Sequence, residues 1–243
     1  MMSHSHYSKY MFFINQNIAA VLALALVVTG NAAFAIPDNT SPLTGQAPSG
    51  DESAESIRLR SGEGNPIAGG DKSQLCQGCH GEFGESTVGL IPKLAGQYAV
   101  YIAKQVRNYQ AGTRTHQIMN AMAGTITSET DLLDISAYFA SQPKMKRNGT
   151  TINQAGKQLF MRGDTSKMRL ACVNCHGVNG KGLAPNIPMF PVIGGQQKDY
   201  LRKQLVDFRS GFRTNSPKGI MNTVAKSLTD PEIEALVEYV SNL

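Results

Sequence analysis

The sequence predicts an all-α chain built as two tandem helical domains. Three observations carry that expectation. A block of 24 residues occurs twice, IPKLAGQYAVYIAKQVRNYQAGTR at 91–114 and FPVIGGQQKDYLRKQLVDFRSGFR at 190–213. At an offset of 99, Pro92, Gly96, Gln97, Tyr101, Lys104, Gln105, Gly112 and Arg114 match Pro191, Gly195, Gln196, Tyr200, Lys203, Gln204, Gly211 and Arg213. Apolar residues recur at helical spacing, and no strand-like alternation is indicated. All four cysteines fall in two copies of one pattern, LCQGCHG at 75–81 and ACVNCHG at 171–177. Such self-similarity is read first, because each repeat is one structural unit.

In chain order, residues 1–35 read as a signal peptide. Lys9 is their one charged side chain, an apolar run of 11 residues follows from Ile18 to Val28, and Ala33-Phe34-Ala35 fits a small-residue cleavage site. The run is well short of the ~20 residues that cross a bilayer, so a membrane anchor is the weaker reading. Residues 36–65, rich in Pro, Ser, Gly and acid, are expected to be a flexible leader.

The first domain is placed at 66–141. Tyr101, Ile102, Gln105 and Tyr109 fit its middle helix; Leu132, Ile135 and Phe139 fit its last. Residues 142–149, inside the polar stretch SQPKMKRNGTTIN, are expected to link the domains. The second domain takes 150–243. Ala155, Leu159 and Phe160 precede its cysteine motif as an apolar face, and Leu201, Leu205 and Phe208 fit its middle helix. Ile233, Leu236, Val237 and Val240 form a buried-helix stripe, with Thr229 and Glu232 as its capping box and Pro231 in its first turn.

Cys-x-x-Cys-His is the spacing of c-type haem attachment. Two thiols add across the porphyrin vinyl groups, and two intervening residues set the sulfurs about one helical turn apart. The next residue, histidine, then lies under the iron. Cys76, Cys79 and His80 are assigned to one haem; Cys172, Cys175 and His176 to the other. A zinc site would bring its cysteine pairs within roughly 15–20 residues, whereas Cys79 and Cys172 are 93 apart. A disulfide or thioredoxin-like site leaves the histidine without a role and wants a strand–helix pattern that is not visible. A domain of this size has a small apolar core, which a covalently held haem enlarges, so haem loading and folding are expected to be coupled.

The sixth ligand decides the chemistry. A filled position gives an electron carrier, and an open one admits oxygen or peroxide. Met119 sits seven residues before Ile126, and Met221 seven before Leu228, at equivalent places before each last helix. They are the expected axial ligands, since a thioether favours ferrous iron. Met122 is the rival in the first unit and His116 a weaker one. Pro92 and Pro191 lie 12 and 15 residues after their histidines, where a carbonyl can accept the second ring N–H.

With these residues in hand, the chain resembles the cytochrome c4 family over roughly residues 70–243. The resemblance rests on the two Cys-x-x-Cys-His motifs, the IPKLAGQ and FPVIGGQ blocks, FRSGFRTN at 208–215, and Met119 and Met221. It implies two cytochrome c domains with close haems, two covalently bound haem c groups with His/Met ligation, and electron shuttling in the periplasm, often toward a terminal oxidase. The leader at 36–65 and a one-residue slip in the last helix of the first unit depart from the family. The haem subunit of a flavocytochrome-type dehydrogenase is similar in architecture and gives the alternative partner. A di-haem enzyme needs one open or unusual axial site, which two matched methionines disfavour. The expected role is therefore carrier, not enzyme.

The net charge is +5, with a pI near 9.0. It is uneven: residues 66–141 sum to −1 and residues 150–243 to +5. No nucleic-acid motif accompanies the basic half, so redox-protein donors and acceptors are the expected partners, with membrane contact only through them. Arg114 and Arg213 are candidates to neutralise haem propionates. The remaining asymmetry predicts that an acidic partner docks on the second unit.

Overall fold

A computed structural model describes residues 54–183 and 189–243. The signal peptide expected at 1–35 and the leader up to residue 53 lie outside the described residues. Eleven α-helices run through the described residues, with no named strand. The first half carries α1 (Ala54–Ser61), α2 (Pro66–Lys72), α3 (Gln74–His80), α4 (Ala99–Gln110), α5 (Gln117–Gly124) and α6 (Glu129–Ser141). The second carries α7 (Gln154–Arg162), α8 (Val173–His176), α9 (Lys198–Ser210), α10 (Ile220–Lys226) and α11 (Asp230–Ser241).

The two halves follow one plan. A helix before the cysteine motif crosses the last helix of its half, α2 on α6 and α7 on α11. Both crossings are set by a glycine. A Cβ on Gly69 would meet the Asp134 carbonyl oxygen at 1.9 Å, and one on Gly156 would meet the Ala235 oxygen at 1.9 Å. Gly156, not the expected Ala155, is therefore the buried position on α7, and Ala155 is exposed. Phe160 is fully buried beside it, while Leu159 is only partly covered.

Local signals start the helices. Asn65 accepts from the Ile67 and Ala68 amides ahead of Pro66 at the head of α2. The Ser128 side chain accepts from Asp131 N at the start of α6. The Thr229–Glu232 capping box with Pro231 opens α11. The stripes expected on the last helices are buried: Leu132, Ile135 and Phe139 on α6, and Ile233, Leu236, Val237 and Val240 on α11.

Two segments differ from expectation. Residues 54–65 are not an unstructured part of the leader: α1 packs on α6. Arg60, 4% exposed, donates to the carbonyls of Ala140 at 2.6 Å and Gln142 at 3.0 Å. It closes the end of α6, where the last carbonyls have no partner within the helix. Composition alone hid this, because one buried arginine is invisible in a polar stretch.

Residues 142–149 connect the halves as a docked strap. Met145 is buried against Tyr98 of the first half and Val192 of the second. Lys93 Nζ donates to Lys146 O at 2.6 Å, and Lys181 Nζ to Met145 O at 2.7 Å. Gly96 and Gly195, at φ +61° and +82°, turn their loops tightly beneath it. A Cβ at Gly96 would lie 2.5 Å from Lys144 Cα.

Candidate haem sites

Each Cys-x-x-Cys-His motif ends a helix, α3 or α8, with the histidine as its last residue. All four cysteines are free thiols, with Cys79 exposed and the others half-buried. Burial pushes the Cys76 thiol up, and the Cys172 thiol up to about 11.

His80 and His176 are each 7% exposed. Nδ1 of His80 lies 2.8 Å from Pro92 O, and Nδ1 of His176 lies 2.9 Å from Pro191 O. A carbonyl can only accept, so Nδ1 carries the proton in both rings and Nε2 keeps its lone pair. Burial pushes both rings below the usual histidine range, with the carbonyl bonds acting against it. Both are thus held as neutral imidazoles, the form that binds a metal.

A cavity of about 800 Å³ runs past both motifs. It is lined by the four cysteines, both histidines, and Met119, Met122 and Met221. Met119 and Met221 sit in matching frames. Asn120, next to Met119, donates to Tyr109 O at 2.6 Å and Arg114 O at 3.2 Å. Asn222, next to Met221, donates to Phe208 O at 2.8 Å and Arg213 O at 2.7 Å. The Met119 amide donates to His116 Nδ1 at 3.3 Å, and the Met221 amide to Ser216 Oγ at 3.2 Å. His116 is thus an exposed helix cap that does the work of a serine. Met122 stands where the second half has Val224, which also lines the cavity. The two asparagines were not singled out in the sequence, although their repeat at an offset of 102 with the methionines marks them.

Between the halves lies a buried polar cluster. Arg114 donates to Gln105 Oε1 at 2.8 Å, Tyr200 Oη at 3.0 Å and Gln204 Oε1 at 2.9 Å. Arg213 donates to Gln204 Oε1 at 2.5 Å, Tyr101 Oη at 3.2 Å and Gln105 Oε1 at 3.2 Å. Each arginine therefore reaches across to the other half. Burial pushes the Tyr200 phenol up, but the two guanidiniums outweigh it and hold it below the usual tyrosine value. Among the described residues, neither Arg114 nor Arg213, at 8% and 6% exposure, forms an ion pair with a carboxylate. Both line the cavity. A buried cation without an anion is costly, and haem propionates are anions of the required kind. Free thiols on one helical turn, a neutral imidazole aimed by its second nitrogen, and unpaired guanidiniums all fit a covalently held haem in each half.

Comparison with known proteins agrees. The cytochrome c family model matches residues 154–243. Cytochrome c4 of Pseudomonas aeruginosa is 40% identical over 185 residues, covering 74% of this chain and 89% of the relative. A protein of Stutzerimonas stutzeri named as a thiosulfate dehydrogenase electron acceptor is 31% identical, covering 75% of this chain and 82% of the relative. The crystal structure of reduced cytochrome c4 from Pseudomonas stutzeri matches with a TM-score of 0.69 at 38% identity, covering 74% of this chain and 99% of that one.

Proposed function

The chain belongs to the cytochrome c4 family, and from that premise we propose which residues hold its haems and how partners meet them. As a member it is a di-haem c-type electron carrier with an all-α fold. Cys76 and Cys79 would hold one haem by thioether bonds, with His80 and Met119 as the ligands of its iron. Cys172, Cys175, His176 and Met221 hold the other. Bound haem iron supplies one-electron transfer by alternating between the ferric and ferrous states. The Pro92 and Pro191 carbonyls fix the imidazole planes. The asparagine frames hold each thioether in place, so no large movement accompanies a change of charge.

The observation that carries this assignment is the matched frame around Met119 and Met221, which Met122 lacks. Carbon monoxide added to the reduced protein tests it. The unmodified protein should bind none rapidly. Met119→Ala and Met221→Ala should each open one haem, and Met122→Leu neither. Rapid binding by the unmodified protein would replace the carrier reading with an enzyme that has an open axial site.

Export through residues 1–35 delivers the carrier to the periplasm, and no described helix is long and apolar enough to cross a membrane. Leu75, Leu90 and Ile118 form an exposed apolar rim on the first half of the cavity, and Leu170, Met189 and Ile220 one on the second. These rims are where redox proteins approach. The thiosulfate dehydrogenase acceptor among the relatives supports a dehydrogenase as donor, with a terminal oxidase as acceptor. A fixed flavocytochrome-type assembly would keep the same haem sites and change only the donor. The basic second half orients an acidic partner. Lys218 and Lys226 are exposed there, and changing both to Glu in the full chain should flatten the ionic-strength dependence of the transfer rate. An unchanged salt slope would place the acidic partner elsewhere.

A further inference from the structure

Gln97 and Gln196 are the repeated glutamines of the duplicated block, and each is only 4% exposed. Each makes two hydrogen bonds to the opposite half. Gln196 Oε1 accepts from Lys93 N at 2.8 Å, and Gln196 Nε2 donates to Lys93 O at 2.9 Å. Gln97 Oε1 accepts from Val192 N at 2.9 Å, and Gln97 Nε2 donates to Val192 O at 2.8 Å. The orientation of each amide is fixed by its neighbours. Each oxygen also accepts from the next backbone amide, Gln197 N at 2.9 Å and Tyr98 N at 3.1 Å.

Lys93 N belongs to the same peptide unit as Pro92 O, the acceptor for His80 Nδ1 at 2.8 Å. Val192 N likewise shares its peptide unit with Pro191 O, the acceptor for His176 Nδ1 at 2.9 Å. A peptide group is one conjugated unit. Donation from its N–H increases the negative charge on its oxygen, and chained hydrogen bonds strengthen one another by about 10–30% per bond. The oxygen then draws harder on the histidine proton, which makes the imidazole a stronger donor at Nε2.

We propose that Gln196, in the second domain, tunes the haem of the first, and that Gln97, in the first, tunes the haem of the second. Each glutamine is a positioning residue acting through a Pro–Xaa peptide and the proximal histidine. The effect is to favour ferric iron and lower the potential of the opposite haem. The proposal rests on the histidine ligation read above. It goes further in making the interface, and not only each pocket, set both potentials. The arrangement is reciprocal, so disturbing the contact on one side changes the haem on the other.

The test uses the full holoprotein. Gln196→Met keeps the length of the side chain but accepts no strong hydrogen bond. Potentials are read by redox titration, each haem followed through NMR resonances of its own domain. The His80 and His176 Nδ1 protons are read in the reduced, ¹⁵N-histidine-labelled protein. Gln196→Met should raise the potential of the first haem and move the His80 proton upfield, leaving His176 in place. Gln97→Met should do the reverse, and Gln196→Glu, which keeps an acceptor, should restore the His80 resonance. A Gln196→Met variant that moves the second haem more than the first, or moves neither, overturns the proposal. Should the variants not accumulate as holoprotein, the unmodified protein decides. A scalar coupling across the hydrogen bond from Lys93 nitrogen to the Gln196 side-chain carbonyl carbon is expected, and its absence overturns the proposal. Failure of the ligation reading shows separately, as rapid carbon monoxide binding before any substitution.

Discussion

The two halves repeat the same cavity-lining cysteines, histidine and methionine on unequal scaffolds. The second half packs eight buried residues into one cluster around Phe160, Ile233 and Val237. The corresponding cluster in the first half has three, Ile102, Ile135 and Phe139. The first half makes up the difference with outside support: α1 lies on α6, Arg60 closes the end of α6, and Lys72 ties α2 to α6 through Asp134 at 2.6 Å. The second half is closed from within, by the capping box and the ion pairs of Glu232 with Arg169 and Lys167, both at 3.0 Å. Duplication has kept the groups proposed to hold and orient a haem, and let the packing behind them diverge.

The largest expected effect sets the two cores against each other. Phe139→Ala and Phe160→Ala should each cost about 3–5 kcal/mol. The first removes one of three clustered residues, so it should unfold the first domain well below the second in calorimetry. Phe160→Ala should leave a damaged but cooperative second domain. Equal falls in the melting temperature of the two domains would show that core size does not separate the halves.

Arg60→Ala comes next. It removes hydrogen bonds from a buried charged group, each class of which is worth about 1.5–3 kcal/mol. The first domain alone should melt earlier, with the haem spectrum of the second unchanged through the first transition. A global shift would mean that α1 supports the whole molecule.

The smallest effect is pH-dependent. The Arg169 guanidinium beside Glu232 holds its carboxyl well below the usual range, and the Lys72 ammonium lowers that of Asp134. A carboxylate depressed in the folded state stabilises it in full above the unfolded value, near 4.3 for Glu and 3.9 for Asp. That contribution is lost as pH falls through the folded value. Glu232→Gln should therefore lower the melting of the second domain at pH 7, with the gap narrowing toward pH 3. Asp134→Asn should do so in the first. A constant gap across that range would remove the ion pairs as its cause.

Much of the proposed site was legible because it is written in residue types that do little else. Cysteine pairs followed by histidine, and methionines at matched places, state their chemistry without a fold. The helix stripes on α6 and α11 were legible for the same reason, since spacing alone fixes which side faces inward. Contacts that join distant segments were not legible. Gln97 and Gln196 stood out as repeated residues, but periodicity does not say that each crosses to the opposite half. Arg60 and Met145 sit in polar stretches whose composition suggested a leader and a linker. Gly156 was overlooked for Ala155 because a hydrophobic pattern has no symbol for the absence of a side chain.

The strap at 142–149 bears on how such a protein can evolve. Its carbonyls are the acceptors for Lys93 from one side and Lys181 from the other. A gene cut at that junction would take one acceptor from Lys93 or Lys181 and leave both halves with an uncovered apolar face around Met145. Fission back to two single-haem ancestors is therefore penalised at the point where the duplicates were joined. The junction works as a ratchet: with the strap drawn into the interface, separating the pair removes contacts from both sides.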